Sequence, residues 1–212
     1  MPVRVKVVSE KEEKKKRNVA WGITGSGDRL VETVDIMKEV KKHYENRANI
    51  SVYLSKAGDQ VSKYYRVVSD LKENFQKVWI EINSNSPFLA GELELGKFEF
   101  LLIAPATSNT VAKISLGIAD SLLSNAAIMA LKGFIPVYIM PSDRLEGTIT
   151  TTLPDGQTLR LSVRKEDADN VRKLASVANV FLLDGPRQIR QVFERHFNKR
   201  KGKLHGNRSK SQ

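Results

Sequence analysis

Short runs of β-branched and aromatic residues alternate along this chain with longer stretches whose apolar positions recur at helical spacing. Six runs read as strands: Asn18–Thr24, Asn49–Leu54, Lys77–Ile82, Phe98–Ala104, Ile135–Met140 and Val180–Leu183. Phe100-Leu101-Leu102-Ile103-Ala104 and Val137-Tyr138-Ile139-Met140 are apolar throughout, as expected of strands covered by helices on both faces. Between the strands, Leu30, Val34, Met37, Val40 and Lys41 form one stripe, with Glu32, Asp35, Lys38 and Glu39 on the other side, which is the pattern of a helix. Residues 110–131 and 166–178 keep the same period, the latter opening with Glu166 and Asp167, which suit a positive helix start. Residues 64–75 form a further helix candidate. The predicted fold class is α/β, a three-layer doubly wound parallel sheet.

Residues 144–165 break this rhythm. Thr148–Leu153 and Thr158–Val163 flank the turn Pro154-Asp155-Gly156, which signals a β-hairpin leaving the sheet and not a second domain.

Composition adds bounds. At 212 residues and 41% hydrophobic content the chain fills one domain with a sizeable core, which excludes a disordered chain. A formal charge of +11 suggests a nucleic-acid or anionic-membrane partner until it is located. Residues 1–17 carry seven basic and three acidic side chains, and residues 196–212 carry six basic and no acidic ones. The ends therefore hold +4 and +6, while residues 18–195 hold 22 basic against 21 acidic groups. The expectation is a single domain over 18–195 between two flexible basic tails, with nucleic acid disfavoured as a partner.

The absence of cysteine excludes zinc ribbons, thiol catalysis, disulfide scaffolds and cysteine-ligated iron–sulfur clusters. Of the three histidines, His43, His196 and His205, two lie in or beside the basic C-terminal stretch, so no metal site is expected. No apolar run reaches the roughly 18 uncharged residues of a membrane span. The N-terminus lacks a signal-peptide core, so a cytoplasmic protein without a membrane partner is expected.

The strongest local signal is Val19-Ala20-Trp21-Gly22-Ile23-Thr24-Gly25-Ser26-Gly27-Asp28-Arg29-Leu30, a strand running through a glycine turn into a helix. Such a turn presents backbone N–H groups and the hydroxyls of Thr24 and Ser26 at a positive helix end, which makes a phosphate site. The glycines let the backbone approach an anion closely. A dinucleotide fingerprint requires a third glycine at position 30, where Leu30 stands, so the signal favours one phosphate over a pyrophosphate. A tight βα turn without a ligand is the alternative. Asp28 is a complication, because an inward carboxylate repels phosphate.

A second strand end, Val52-Tyr53-Leu54-Ser55-Lys56-Ala57-Gly58, offers the Ser55 hydroxyl and the Lys56 ammonium, either as a phosphate counter-ion or as a solvated charge. The third element is Pro105-Ala106-Thr107-Ser108-Asn109-Thr110, where four consecutive hydrogen-bonding side chains stand between a buried strand and a helix. One serves as N-cap, and the others are free to face a polar ring or a ribityl chain or to satisfy local backbone.

Ala104-Pro105-Ala106-Thr107-Ser108-Asn109-Thr110, followed by Ala112-Lys113-Ile114, Gly117-Ile118-Ala119-Asp120 and Leu122-Leu123, resembles the PASANT-type segment of the flavoprotein superfamily. That group includes flavin-containing cysteine decarboxylases and flavin prenyltransferases on a flavodoxin/Rossmann-like fold. The Gly22–Gly27 turn, Ser55 and the strand end Ile139-Met140-Pro141 follow in the family's order, so the resemblance spans roughly residues 18–143. The W-G-I-T-G-S-G opening and the T-T-L-P-D-G hairpin are similar to an archaeal branch of archaeoflavoproteins and dihydromethanopterin-reductase-like proteins. The resemblance implies noncovalent FMN at a subunit interface of a homo-oligomer, and electron transfer through the isoalloxazine ring. Carried over by position, Thr24, Gly25, Ser26 and Gly27 with Ser55 and Lys56 would serve the phosphate. Ala106, Thr107, Ser108, Asn109 and Thr110 would line the ribityl chain and ring, with Asn109 beside the ring.

The departures bear on the chemistry. The decarboxylases carry a histidine after the third strand, whereas this chain reads Ile82-Asn83-Ser84-Asn85-Ser86-Pro87-Phe88; the P-x-M-N-x-x-M-W segment is also missing. The P-R-E triplet of the prenyltransferases is Pro141-Ser142-Asp143, without the arginine that meets a prenyl phosphate. The expected function is therefore an FMN oxidoreductase that carries electrons from ferredoxin or NAD(P)H to an acceptor such as a dihydromethanopterin-like pterin. A decarboxylase or prenyltransferase on the same fold is the alternative. The basic tails are expected at most to steer an acidic donor. Trp21 and Trp79, and Met37, Met129 and Met140, read as core, and His43 as surface. Lys113 is expected to pair with Asp120 or a neighbouring subunit. The apolar residues of Ile114–Leu131 occur on more than one face, consistent with packing against another chain.

Overall fold

The computed structural model describes residues 15–198. Six parallel strands form one sheet: β1 (Arg17–Ile23), β2 (Ala48–Leu54), β3 (Lys77–Ile80), β4 (Leu101–Ala106), β5 (Val137–Pro141) and, after the hairpin strands β6 (Gly147–Thr152) and β7 (Thr158–Val163), β8 (Val180–Leu182). Their spatial order is β3-β2-β1-β4-β5-β8, the doubly wound arrangement expected. The helices are α1 (Leu30–His43), α2 (Lys56–Tyr64), α3 (Val68–Asn74), α4 (Leu89–Glu94), α5 (Ser108–Leu116), α6 (Leu122–Lys132), α7 (Lys165–Ala175) and α8 (Gln188–Phe197).

The two sheet faces sort the core into two layers. Val19, Trp21 and Ile23 of β1 pack with residues of α1, α3 and α8, while Ala20 points into the layer built by α4 to α7. This period-two alternation, buried on both sides, is why the strands read as continuous apolar runs. Trp21 is fully buried and its indole N–H donates to the Ala104 carbonyl at 2.8 Å, tying β1 to β4.

One predicted helix is divided in two, and another begins later than expected, at Val68. The 110–131 pattern breaks at Gly117, where φ of 75° ends α5, and α6 restarts on a capping box between Ser121 and Ser124. Glu81 joins the two chain halves here: its carboxylate accepts the N–H groups of Lys56 (3.0 Å) and Leu122 (2.9 Å), capping α2 and α6 together. The 64–75 segment breaks at Arg66, whose φ of 58° turns α2 into α3. Helices α4 and α8 lay outside the expected set. Because α8 buries Phe193 and Phe197 and β1 starts at Arg17, the folded body extends past both expected tail boundaries. Trp79, expected in the core, is 46% exposed because β3 is the sheet edge. The remaining parts of the tails lie outside the described residues. Of the methionines read as core, Met37 and Met140 are buried and Met129 is half-buried, while His43 is exposed as expected. The apolar residues Leu122, Leu123, Ala126, Ala127 and Ala130 of α6 are buried inside this one chain, so they offer no face to a second one.

At the N-terminal end of the sheet the polar groups satisfy one another. The His196 Nδ1–H donates to Glu99 Oε1 (3.1 Å) and the Tyr138 hydroxyl donates to His196 Nε2 (2.9 Å), so the neutral ring has both nitrogens bonded. Arg17 pairs with the same Glu99 oxygen at 2.8 Å. No helix among the described residues is long and apolar enough to cross a membrane.

Candidate functional site

The chain winds outward in both directions from the central β1–β4 pair, so the loops leaving these strands part and open a crevice beyond their carboxyl ends. A cavity of about 590 Å³ lies there, of the size that small-molecule sites have.

Thr24 fixes the crevice without reaching into it. Its hydroxyl donates to the Pro105 carbonyl (2.9 Å) and accepts the Thr107 N–H (2.8 Å), locking the end of β1 onto the start of α5. The next three residues, Gly25, Ser26 and Gly27, line the cavity, and among the described residues their N–H groups have no acceptor. They stand at the positive end of α1. The glycines are also required sterically: a Cβ on Gly27 would meet the Tyr65 ring at 2.3 Å, and one on Gly25 would meet Ala57 Cβ at 2.7 Å.

A second helix end faces the same space. Thr107 caps α5, accepting the Thr110 N–H at 3.3 Å, and the N–H groups of Ser108 and Asn109 find no acceptor among the described residues. Asn109 is exposed on the cavity wall and its amide is likewise unbonded there. The Ser108 hydroxyl donates to Asp143, and Ser142 donates to Ser26 Oγ at 2.6 Å, so the loop after β5 closes the third side.

Acidic groups share the cavity with these donors. Burial holds the Asp28 carboxyl above the usual carboxylate range; Arg29 opposes this, and Asp143 and Glu32 reinforce it. Asp28 thus gives up its proton less readily than a free carboxyl does. On the far side Arg164 grips Asp167 through two hydrogen bonds of 2.7 and 2.9 Å, which hold that carboxyl below its ordinary range. The hairpin forms the remaining wall, its six-pair antiparallel ladder presenting Ile149, Leu153, Leu159 and Leu161 to the cavity.

Of the residues picked out from sequence, Gly25, Ser26, Gly27, Thr107, Ser108 and Asn109 meet at this cavity. Thr24, Ala106 and Thr110 are buried directly behind it. Ser55 and Lys56 are not among its lining residues: the Ser55 hydroxyl caps α2 through the Gly58 N–H (2.9 Å), and the Lys56 side chain is exposed. Lys113 pairs with Asp120 at 2.9 Å, as expected. Tyr65, Ser142, Asp143, Arg164 and Asn170 complete the wall and escaped sequence reasoning. Ser142 and Asp143 carried a usable signal, because they follow the end of a buried parallel strand. Tyr65 and Asn170 carried none.

Comparison with known proteins yields a consistent set. The family model described as Flavoprotein matches residues 7–206. An uncharacterized protein of Methanocaldococcus jannaschii is 43% identical over 183 residues, covering 86% of this chain and 97% of that protein. Dihydromethanopterin reductase (acceptor) of the same organism is 31% identical, covering 82% of this chain and 95% of the relative. Among solved structures, Burkholderia xenovorans DmrB in complex with FMN, described as a cubic protein cage for redox transfer, superposes with a TM-score of 0.73 at 28% identity, covering 87% of this chain and 97% of that one.

Proposed function

The chain belongs to the Flavoprotein family, and from that premise we propose that it is an FMN-dependent oxidoreductase. In this reading it takes electrons from ferredoxin or NAD(P)H and passes them to an acceptor, a dihydromethanopterin-like pterin being the candidate. The observation that carries the reading is the row of unbonded N–H groups at Gly25, Ser26 and Gly27 inside the switch-point cavity. The names of the relatives agree with it.

The residues present fit FMN. The glycine turn ahead of α1 would hold the phosphate through its backbone donors. Asn109 and the free amides at the start of α5 would meet the polar edge of the ring or the ribityl hydroxyls. The leucines and isoleucine of the hairpin would keep water from the ring. FMN, when bound, supplies the capacity to take up and release electrons; the protein sets its orientation and surroundings. Such a role needs no nucleophile or metal from the chain.

The prenyltransferase alternative loses support at position 142, where a short serine hydroxyl is held against Ser26, and the decarboxylase alternative at residues 82–88, which carry no histidine. Assembly into homo-oligomers fits the reading, with the exposed edge around Trp79, Ile82 and Phe88 as the contact surface, since all three are 46–68% exposed. Titration of purified protein with FMN, followed by anaerobic reduction with ferredoxin or NAD(P)H, tests the function. Stoichiometric uptake with flavin bleaching is expected; a colourless protein that takes up no FMN overturns it.

A further inference from the structure

A second groove, of about 780 Å³, adjoins the cavity between the α2–α3 junction and the hairpin tip. Tyr65 and Leu153 are walls of both spaces, so the groove and the cavity meet across these two side chains. Tyr64 stands edge to face with Tyr65, ring centroids 5.6 Å apart, and is 54% exposed. Val31, also exposed, and Pro154 line the same slot. Its lining thus pairs two tyrosine rings with apolar side chains, a surface suited to a flat aromatic ligand.

The cations at its rim differ from each other. Lys63 is paired with Asp59 at 2.6 Å. Arg66 is exposed, and among the described residues its guanidinium has neither an ion-pair nor a hydrogen-bond partner. Its backbone closes α2 in a Schellman turn, with Arg66 N–H on the Lys63 carbonyl and Val67 N–H on the Ser62 carbonyl, both at 3.0 Å. That position, at φ 58°, favours glycine. An arginine there is strained, and among the described residues no hydrogen bond or ion pair of its side chain offsets the strain. Asp155 at the hairpin tip accepts the Gln157 N–H and makes the opposite rim acidic, which directs an anion toward Arg66.

We propose that this groove is the subsite for the electron acceptor: a planar nitrogen heterocycle lies against Tyr64 and Tyr65 with one end reaching past Tyr65 into the cavity, and its anionic tail pairs with Arg66. The proposal rests on the redox reading of the cavity and adds the place of the acceptor, with the side chains that hold its ring and its anionic tail.

Calorimetric titration tests it, with folic acid as a pteridine bearing a carboxylate tail and 6-methylpterin as its tailless counterpart. Each is titrated into the FMN-loaded wild type, Arg66→Gly and Tyr64→Ala. Wild type is expected to bind both. Arg66→Gly is expected to weaken folic acid about tenfold, to leave 6-methylpterin and FMN affinities unchanged, and to melt at the same or a higher temperature. Tyr64→Ala is expected to weaken both pteridines. Undiminished folic acid affinity in Arg66→Gly, equal loss of both pteridines there, or no folic acid binding to wild type overturns the proposal. Arg66→Asn, which also tolerates the left-handed turn, is the companion variant; failure of both variants to fold would mean that Arg66 serves the fold, and overturns it too. FMN uptake is read by absorbance in the same samples. Flavin uptake without a folic acid response rejects the groove alone, and a pteridine response without flavin uptake rejects the oxidoreductase reading.

Discussion

The two ends of the sheet treat polar groups in opposite ways. At the N-terminal end, Arg17, Glu99, His196 and Tyr138 form a closed set in which both imidazole nitrogens and the carboxylate are bonded. At the C-terminal end, the consecutive amides of Gly25–Gly27 and those of Ser108 and Asn109 at the start of α5 stand without acceptors among the described residues, beside a cavity that the chain itself does not fill. Burial pushes a titratable group toward its neutral form at both ends, the His196 ring downward and the Asp28 carboxyl upward. The difference lies in what satisfies the hydrogen bonds. A polar cluster completed by protein is a structural device, whereas one left open in a cavity is an invitation to a ligand.

The largest expected effect comes from closing the open end. In Gly27→Ala the added Cβ meets the Tyr65 ring at 2.3 Å and forces this cavity-wall side chain to shift. FMN affinity should fall at least about tenfold, roughly 1.4 kcal/mol. The melting temperature should move little, because the displaced group is the far end of one side chain. Fluorescence titration of FMN alongside a thermal scan measures both; an unchanged FMN affinity would separate the glycine turn from the ligand.

Opening the closed end should do the reverse. Glu99→Ala removes the acceptor of both Arg17 and His196. It should cost about 1–2 kcal/mol, the penalty of unpaired, partly buried donors, and lower the melting temperature by roughly 2–8 °C in a domain of this size, with FMN affinity unchanged. His196 adds a pH signature. Its ring titrates below its ordinary value of 6.5 because burial outweighs the pull of Glu99, with Arg195 and Arg17 lowering it further. The unfolded chain therefore binds the proton first as pH falls. Stability should be full above that ordinary value and decline as pH drops from it toward the lowered one; His196→Gln should flatten this segment of the denaturation profile. A wild-type profile flat across that range would show that the cluster accepts the charged ring.

A smaller effect is expected from Asp28→Asn. Folding and phosphate binding both favour the uncharged carboxyl, so removing the charge should tighten FMN severalfold at neutral pH, on the order of 1 kcal/mol at a partly exposed site. Wild-type affinity should rise as pH falls through the raised Asp28 range and meet that of the variant at low pH. Tighter binding of FMN by wild type than by Asp28→Asn would mean that the carboxylate accepts a hydrogen bond from the ligand.

How far each end could be read from sequence follows from the kind of signal it leaves. The strand runs, the glycine turn and the Thr107–Asn109 segment are contiguous, so local pattern sufficed to predict the sheet and two walls of the cavity. Gly117 divides one predicted helix and Arg66 delays the start of another, although the apolar period continues through both, and periodicity is blind to a single left-handed residue. Helix α8 runs in sequence into a basic C-terminal stretch, and the charge obscured the spacing of Ile189, Val192, Phe193 and Phe197. Tyr65 and the hairpin leucines reach the cavity only through tertiary structure, as does the His196–Glu99 contact across 97 residues. Ser55 shows a signal with two readings: a hydroxyl at a strand end fits the ligand pattern, and in the fold its oxygen also caps α2.

Lys113 sharpens the comparison at its smallest scale, because it lies at the open end and inside the recognised segment but makes a closed contact. Its ammonium is 2.9 Å from Asp120; the lysine side chain is 24% exposed and that of the aspartate 57%, so the pair is partly solvated. Exposed pairs of this kind contribute about 0–1 kcal/mol. Lys113→Met keeps the stem that packs on α5 and removes only the charge. It should change the melting temperature by no more than about 2 °C and leave FMN affinity within roughly twofold of wild type, about 0.4 kcal/mol. If the ammonium instead reached the bound cofactor, the same variant would weaken FMN without changing stability, and the effect would fade with added salt. Position within a motif would then outweigh a visible ion pair as a guide to ligand contact. The geometry argues the other way, since a cation already neutralised by its neighbour has little left to offer an anion in the cavity.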